Sequence, residues 1–336
     1  MKRNYYKIIF VFAIAVFGFY YPNTASAITL TPTRFELRGD PGETITEDII
    51  LINETPGIET FYSSFVNFEA EGESGNPAFV EPKEGIGTWM STRESLTILP
   101  SASETIPLTI KIPKDAEPGG YFGVVFFGNS PKGQGGQVSV GANTGILVLL
   151  SVNGEVKEQA GLFDFGTDKN KFFYKTLPVS FTYRFTNEGN DRVKPQGKIT
   201  LLDTIFIPAD KIDANPVDGN VLPGSTRKFK TDWIKYERPL DYIPPTGFFK
   251  KYWSEVVYEW KNFAVGLYSA HLNVSYGTQE EHARDFVFFF VFPWELCIVM
   301  LLVLVIVFFG GRKLIKKYNS YIIKKAKVAM ESARNS

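Results

Sequence analysis

The sequence has almost none of the residues that cross-link a chain or hold a transition metal. Its 336 residues include one cysteine and two histidines. A single cysteine excludes an intramolecular disulfide framework, and so few thiolate and imidazole ligands exclude a structural zinc site. The cysteine, Cys297, lies in a hydrophobic run near the C-terminus. The rest of the chain must therefore fold on hydrophobic cores, as is typical of bacterial surface proteins.

A net charge is also absent, because 36 Lys and Arg residues balance 36 Asp and Glu residues. The balance hides a segregation: residues 312–336 are strongly basic, whereas residues 28–295 are acidic. An acidic body argues against nucleic-acid binding by bulk electrostatics. Hydrophobic residues make up 44% of the chain and aromatic residues 15%, which excludes general disorder.

The N-terminus has the three parts of a secretory signal peptide. Lys2, Arg3 and Lys7 precede an apolar run over residues 8–21, and Ala25-Ser26-Ala27 provides a small-residue cleavage site. This layout predicts a signal peptide over residues 1–27 that is cleaved after Ala27. An uncleaved N-terminal anchor is the alternative.

A second hydrophobic run near the C-terminus predicts one transmembrane helix over residues 293–311. Trp294 lies where an aromatic anchor meets the membrane interface, and Arg312 and Lys313 begin a basic tail on the other side. The positive-inside rule places residues 312–336 in the cytoplasm. The sequence thus predicts a single-pass protein of a bacterial cell membrane, with its body outside the cell.

The body between these segments has the pattern of short β-strands separated by turns. Before residue 153, the strand-like runs are 28–37, 44–53, 61–70, 94–99, 104–112, 121–127 and 138–152. After it they are 162–165, 179–187, 193–203, 225–233, 255–260, 267–276 and 286–292. No convincing amphipathic helix interrupts the first set, which makes a parallel βαβ sheet a poor fit. The predicted fold class is all-β, with two Ig-like antiparallel β-sandwich domains over residues 28–152 and 153–292.

The first set of strands carries motifs of a known family. Phe35-Glu36-Leu37, the Pro41-Gly42-Glu43 turn and a strand ending in Ile52-Asn53 open the match. Leu99-Pro100-Ser101 and the stretch from Glu117-Pro118-Gly119-Gly120 to Phe126 continue it. These residues resemble the WxL-interacting protein family over about the first 125 residues after the signal peptide, and the layout beyond them is similar.

The resemblance implies an envelope protein without enzymatic activity. It implies an outer domain that binds peptidoglycan and a second domain that engages other surface proteins, including those with a WxL domain. The individual binding residues of the family are not transferred to this chain.

Searches for catalytic or metal sites find little. The pattern places His271 on the polar face of a strand and His282 in a loop, without a nucleophile motif beside either. Residues 213–220 are rich in oxygen ligands, but their spacing is not that of an EF-hand, so a solvated turn is favoured over a calcium site. No catalytic residue, cofactor or metal is predicted.

The most unusual segment is the aromatic and basic stretch over residues 236–263. One interpretation is that half of its aromatic residues fill the second core; the others are that the segment contacts the membrane, or binds a glycan or protein. The candidates for membrane or ligand contact are Phe248, Phe249, Lys250, Lys251, Tyr252 and Trp253.

Three functions are therefore compatible with the sequence. The favoured one is a surface binding or scaffold protein that spans the lipid bilayer and presents its sandwiches to peptidoglycan or to other surface proteins. The alternatives are an envelope enzyme, such as a glycan hydrolase with a carboxylate pair, and an assembly or secretion accessory that pairs edge strands with a partner.

Overall fold

The computed structural model describes residues 28–130 and 143–334, which form two β-sandwiches followed by a long C-terminal helix. The predicted signal peptide, residues 1–27, lies outside the described residues, as does the glycine-rich loop at residues 133–136.

The first sandwich consists of a four-stranded and a six-stranded sheet. Its strands are β1 Ile28–Thr31, β2 Arg34–Gly39, β3 Thr44–Asn53, β4 Glu59–Glu71, β5 Asn76–Val80, β6 Met90–Ser91, β7 Ser95–Ile98, β8 Ser103–Lys111, β9 Gly119–Gly128 and β10 Thr144–Val152, with a short helix α1, Ile86–Trp89. The sheet orders are β1-β3-β8-β6 and β2-β10-β9-β4-β5, with β7 also paired to β4. The core lies between the sheets, because alternate residues such as Ile106, Leu108 and Ile110 point inward.

The second sandwich has a three-stranded and a five-stranded sheet. Its strands are β11 Ala160–Thr167, β12 Phe173–Tyr174, β13 Val179–Asn187, β14 Gln196–Leu202, β15 Pro208–Asp213, β16 Ser225–Trp233, β17 Gly266–Tyr276 and β18 Glu281–Val291, with a 3₁₀ turn at Asp168–Asn170. The orders are β11-β13-β16 and β12-β18-β17-β14-β15. Trp233 and Phe289 lie at the centre of its aromatic core, with ring centroids 5.9 Å apart.

Two helices complete the described chain. Helix α2, Phe248–Lys261, lies in the connection between β16 and β17, and helix α3, Trp294–Arg334, follows β18 after Phe292 and Pro293. Residues 294–326 of α3 are long and apolar enough to cross a membrane.

The predicted fold class is confirmed, with some local corrections. The pairs β2–β10 and β12–β18 run parallel, whereas the other strand pairs are antiparallel. The strand predicted over residues 255–260 is wrong, because these residues belong to α2. Strand β15 was not predicted, and the helix that begins at Trp294 continues well beyond residue 311.

The same asparagine arrangement closes one loop in each sandwich. The buried Asn53 amide donates to the Gly57 carbonyl at 2.8 Å and to the Ile98 carbonyl at 3.0 Å. The buried Asn187 amide likewise donates to the Asp191 carbonyl at 2.8 Å and to the Val221 carbonyl at 2.9 Å. In both cases Oδ1 accepts the backbone N–H two residues ahead. Each side chain therefore satisfies backbone groups that would otherwise be buried without partners.

The two sandwiches meet at a polar junction. Lys194 Nζ lies 2.9 Å from both Glu36 Oε2 and Asp218 Oδ2, and Arg34 Nη2 lies 2.6 Å from the same Asp218 oxygen. Arg192 donates to Ser151 Oγ at 2.7 Å. Burial alone would raise the pKa of Glu36, but hydrogen bonds from Lys194 and Asn220 outweigh it and hold that pKa below its usual range. These contacts favour a defined orientation of one sandwich on the other.

Candidate functional site

The candidate site is the end of the second sandwich at which α3 begins. Strand β18 ends at Val291, which pairs with Gly266 at the start of β17. Helix α3 begins at Trp294, so nearly no linker separates the sheet from the apolar helix. The connection that carries α2 returns to the sheet at the same Gly266. Chain topology therefore places α2 beside the first turns of α3.

Helix α2 forms where the sequence pattern had suggested a strand. Pro244 and Pro245 precede it, Gly247 at its N-cap has a φ of 96°, and no proline or glycine interrupts residues 248–261. The half-buried Tyr252 and the buried Val256 and Glu259 recur at the three- and four-residue spacing of one helix face. The β-branched and aromatic residues had favoured a strand, but this spacing fits a helix.

Hydrogen bonds and an ion pair attach α2 to the start of α3. The Tyr252 hydroxyl donates to the Glu295 carbonyl at 3.0 Å, and the Leu296 N–H donates to Glu259 Oε2 at 2.7 Å. Lys175 forms an ion pair with Glu295 and lies 3.9 Å from Glu259 Oε1. The Leu296 bond uses one of the unpaired N–H groups at the helix N-terminus, where a carboxyl oxygen is a favourable acceptor.

Glu259 is an unusual residue for this position because its side chain is entirely buried. Burial and the adjacent Glu295 carboxyl raise its pKa, the Leu296 N–H and Lys175 oppose them, and the net result is a pKa of about 8. A neutral Glu259 is therefore favoured at pH 7, which avoids placing a second negative charge beside Glu295.

An exposed apolar stripe runs along the outer side of α2. Phe249, Trp253, Val257 and Trp260 recur at helical spacing, and the side chains of Phe249 and Trp253 are 83% and 58% exposed. Trp253, Val257 and Trp260, together with Val256, form one wall of a wholly apolar groove of about 480 Å³. The other wall belongs to α3 and consists of Leu296, Val299, Met300, Val303 and Leu304. In water such a surface would be unfavourable, whereas a lipid environment would cover it.

The structure brings the predicted contact residues together at one end of α2. Phe248, Phe249, Lys250, Lys251 and Trp253 are exposed, and Tyr252 is half-buried against α3. None of the aromatic residues of segment 236–263 belongs to the buried core of the second sandwich, so the interpretation that half of them fill this core is wrong.

The predicted interface anchors lie along α3. Trp294 is partly exposed, with Lys175 Nζ 5.4 Å from its ring centroid. Arg312 and Lys313 are exposed and follow Trp294 by about 27 Å at the rise of an α-helix. This spacing is close to the thickness of a bilayer core, roughly 30 Å.

The remaining candidates from the sequence have structural roles. His271 Nε2 lies 3.0 Å from Ser269 Oγ, and its ring stacks on Phe286. In the loop over residues 213–220, Asn215 bonds to Gly219, and Asp218 pairs with Arg34 and Lys194. Within residues 28–130 and 143–334, no group of three or more His, Cys, Asp and Glu side chains is placed to hold a metal ion.

Sequence reasoning missed the attachment of α2 to α3 and the polar junction. Lys175, Glu259 and Glu295 are far apart in the chain, as are Glu36 and Lys194. One signal in the sequence could have predicted the attachment of α2. Glu259 lies on an otherwise apolar helical face, and a buried carboxyl group requires a polar partner.

No protein-family model matches the chain, and no curated protein matches it, so membership of the WxL-interacting family is not shown. Several solved structures are similar in fold. A chaperone–tip adhesin complex of CFA/I fimbriae biogenesis has 11% identity and a TM-score of 0.37, over 78% of this chain and 98% of that one. The class 5 fimbriae chaperone CfaA has 12% identity and a TM-score of 0.36, over 78% of this chain and 99% of that one.

A third similar structure is the CsuC–CsuE pre-assembly complex of Acinetobacter baumannii. It has 9% identity and a TM-score of 0.35, over 79% of this chain and 99% of that one. The likeness in all three cases is one of Ig-like architecture and says nothing about function.

Proposed function

We propose that this chain is a non-enzymatic, single-pass surface protein of a bacterial membrane that holds two β-sandwiches outside the cell. In this proposal the division follows the sequence, with residues 28–152 as the outer sandwich, 153–292 as the membrane-proximal one and 312–336 as a cytoplasmic tail. The observation that carries it is α2, whose buried face docks on the start of α3 and whose exposed stripe is apolar.

Membrane insertion is tested with the full chain expressed in bacteria. Leu304→Arg combined with Val305→Arg places two charges in the middle of the proposed span, where each is costly. We expect this variant to leave the carbonate-resistant membrane fraction, in which the unmodified chain remains. The matched control is Ile322→Arg with Ile323→Arg, beyond residue 311, which should stay in the membrane. Release of the unmodified chain by carbonate would contradict the proposal.

The outer sandwich is proposed to bind peptidoglycan or other surface proteins. The support is that it packs on the end of the second sandwich opposite α3, through the junction at Glu36, Lys194 and Asp218. The full chain in detergent micelles should sediment with purified peptidoglycan. If it stays in solution while known wall-binding domains sediment, peptidoglycan is not its ligand, and cross-linking in cells becomes the way to identify a protein partner.

The enzyme alternative has little support from the described residues. Glu259 and Glu295 form a close carboxyl pair, but both are buried between α2 and α3 and neither faces a cleft. A glycan substrate would have no access to them, whereas hydrolysis requires two carboxyl groups that flank the bond.

Edge-strand pairing has no specific structural support either. Strand β16 lies at a sheet edge, but Lys228 and Lys230 are exposed on it, and the Lys228 N–H donates to the Glu73 carbonyl at 2.8 Å. Strand β8 is bordered on one side only by the two-residue β6, and its open part contains Pro107, whose carbonyl accepts a bond from the Thr92 hydroxyl. Charged side chains and proline are features that limit strand addition at an edge.

A further inference from the structure

Exposed large apolar side chains are concentrated at one end of the second sandwich. Apart from α2 and the loop before it, this end exposes Phe172, Phe173, Ile205, Phe206, Ile207, Phe263, Val265, Leu267, Phe288 and Phe292. Phe163 and Phe286 are exposed in the middle of their strands. The opposite end, where this sandwich meets the first, exposes one large apolar residue, Val217, among the described residues. The first sandwich has only scattered cases, such as Ile58 and Leu99.

The turn between β14 and β15 contributes three adjacent apolar residues, 205–207, which we call the apolar tip. Ile205 and Phe206 are 70% and 69% exposed, and Ile207 is also exposed. Asp203 Oδ1 accepts the N–H groups of Ile205 and Ile207 at 3.0 and 2.9 Å, which fixes the turn. Phe206 has a φ of 60°, a region that bulky residues avoid. Its outward position is therefore held against a local conformational cost.

Strand register places the apolar tip at the level of the membrane helix. Leu202, the last residue of β14, pairs with Ser269 of β17. The chain continues toward the end of the sheet at which α3 begins, and the Thr204 hydroxyl donates to the Leu267 carbonyl at 3.0 Å. Gly266, one residue further along, pairs with Val291 at the end of β18. The tip thus reaches the level at which the sheet ends and Trp294 begins α3.

The other edge of the same sheet is aromatic at the same level. The Phe290 N–H donates to the Phe172 carbonyl at 2.8 Å, and Phe173 pairs with Phe290. Exposed apolar residues therefore lie on both edges of this end of the sheet, at β12 and at the β14–β15 turn, with the start of α3 between them. We identify the lipid bilayer as the partner of these residues, because they lie at the height at which the proposed membrane span begins. A membrane that surrounds α3 would contact all side chains at that height.

We infer that the apolar tip inserts into the headgroup layer of the outer leaflet, as a second contact besides α2. Aromatic and branched apolar residues are favourable at that depth. Two separated contacts fix the tilt of the second sandwich, and the polar junction passes this orientation to the first. The inference rests on the proposed function, since it requires α3 to span the membrane.

The test uses the full chain in vesicles of phosphatidylcholine and phosphatidylglycerol. Cys297→Ser removes the native thiol, and single cysteines are then introduced as Phe206→Cys at the tip, Ile306→Cys in the span and Val217→Cys at the opposite end. Each is labelled with an environment-sensitive fluorophore. Lipids with a spin label near the headgroup should reduce the fluorescence at residue 206 about twofold or more and leave residue 217 nearly unchanged. Lipids labelled deep in the acyl chain should quench residue 306.

Each other result has a definite meaning. If residue 206 behaves like residue 217 while residue 306 is quenched, the tip inference is wrong and the span stands. If residue 306 is not quenched by any lipid, the proposed function fails as well. If residue 206 is unquenched by lipid but shows concentration-dependent energy transfer between copies, the tip contacts a second chain and the inference is overturned. Unchanged far-ultraviolet circular dichroism of the Phe206→Cys chain checks that the exposed substitution leaves the fold intact.

Discussion

The two sandwiches share one asparagine-closed loop and differ in the connection that follows β8 or β16. Asn53 and Asn187 hold equivalent loops with the same set of hydrogen bonds. Strand β8 of the first sandwich and strand β16 of the second, however, lead to the next strand by different routes. In the first sandwich residues 112–118 make a short turn, whereas in the second residues 234–265 form a long connection that contains α2. The comparison shows a common structural frame, in which the second sandwich carries helix α2 in the connection that lies beside α3.

The shared asparagines should give the largest effect. Asn187→Ala leaves buried backbone carbonyls without donors, which should cost about 2–4 kcal/mol of the free energy of unfolding. Asn53→Ala should cost a similar amount. Hydrogen exchange with mass spectrometry, on the full chain in micelles, should show faster exchange mainly in the sandwich that carries the substitution. Asn76→Ala, at an exposed position, is the control. Equal loss of protection in both sandwiches would show that they unfold as one unit.

The docking of α2 on α3 should depend on pH through the carboxyl group of Glu259. Its pKa is raised in the docked state, so docking is most favourable at low pH and weakens as pH rises through about 8. The loss should accumulate as pH rises from the ordinary glutamate range toward pH 8. Glu259→Gln keeps a neutral side chain and should remove most of this dependence. The measurement is the exchange of α2 amides, corrected for intrinsic rates; an unchanged pH dependence in the variant would exclude Glu259 as the cause.

The apolar stripe should give a smaller effect. Trp253→Ala removes a side chain that lines the groove between α2 and α3. We expect about a fivefold increase in α2 exchange in vesicles, or about 1 kcal/mol. Lys250→Ala, also exposed on α2, should change it little. An equal effect of both substitutions would mean that the stripe makes no specific contact with lipid.

The junction between the sandwiches should give the smallest effect. Lys194→Ala removes two ion pairs at a partly exposed position, worth about 0.5–1 kcal/mol and less at high salt. Glu36 has a lowered pKa, so its contribution is present at neutral pH and is lost as pH falls below its usual range. Distances between spin labels on the two sandwiches should broaden in the variant. If the distance distributions stay narrow, the hydrogen bond from the Gly120 N–H to the Asn190 carbonyl and the apolar contacts of Leu222 suffice to hold the two sandwiches in one orientation.

The sequence predicted the strands better than their surroundings. Period-two alternation placed His271 on the polar face of its strand, and the alternate residues Tyr268, Ala270, Leu272 and Val274 are buried in the core. The same reasoning failed at α2, because its exposed apolar stripe contacts no core and its aromatic residues favour strands locally. The pairing of Glu259 with Glu295, and of Glu36 with Lys194, depends on tertiary positions that no local pattern encodes. Phe206 was missed because turn residues are usually polar.

The direct passage from β18 into α3 also has a mechanical meaning. A pull on the first sandwich enters the second at Ala160, the start of β11, and leaves at Val291, the end of β18. Both strands then carry the load along their own axes. The hydrogen bonds between β17 and β18, which join Gly266 to Val291 and Tyr276 to Glu281, are strained together in shear instead of opening one at a time. If the first sandwich binds the wall as proposed, a wall that moves relative to the membrane would load this strand pair in shear.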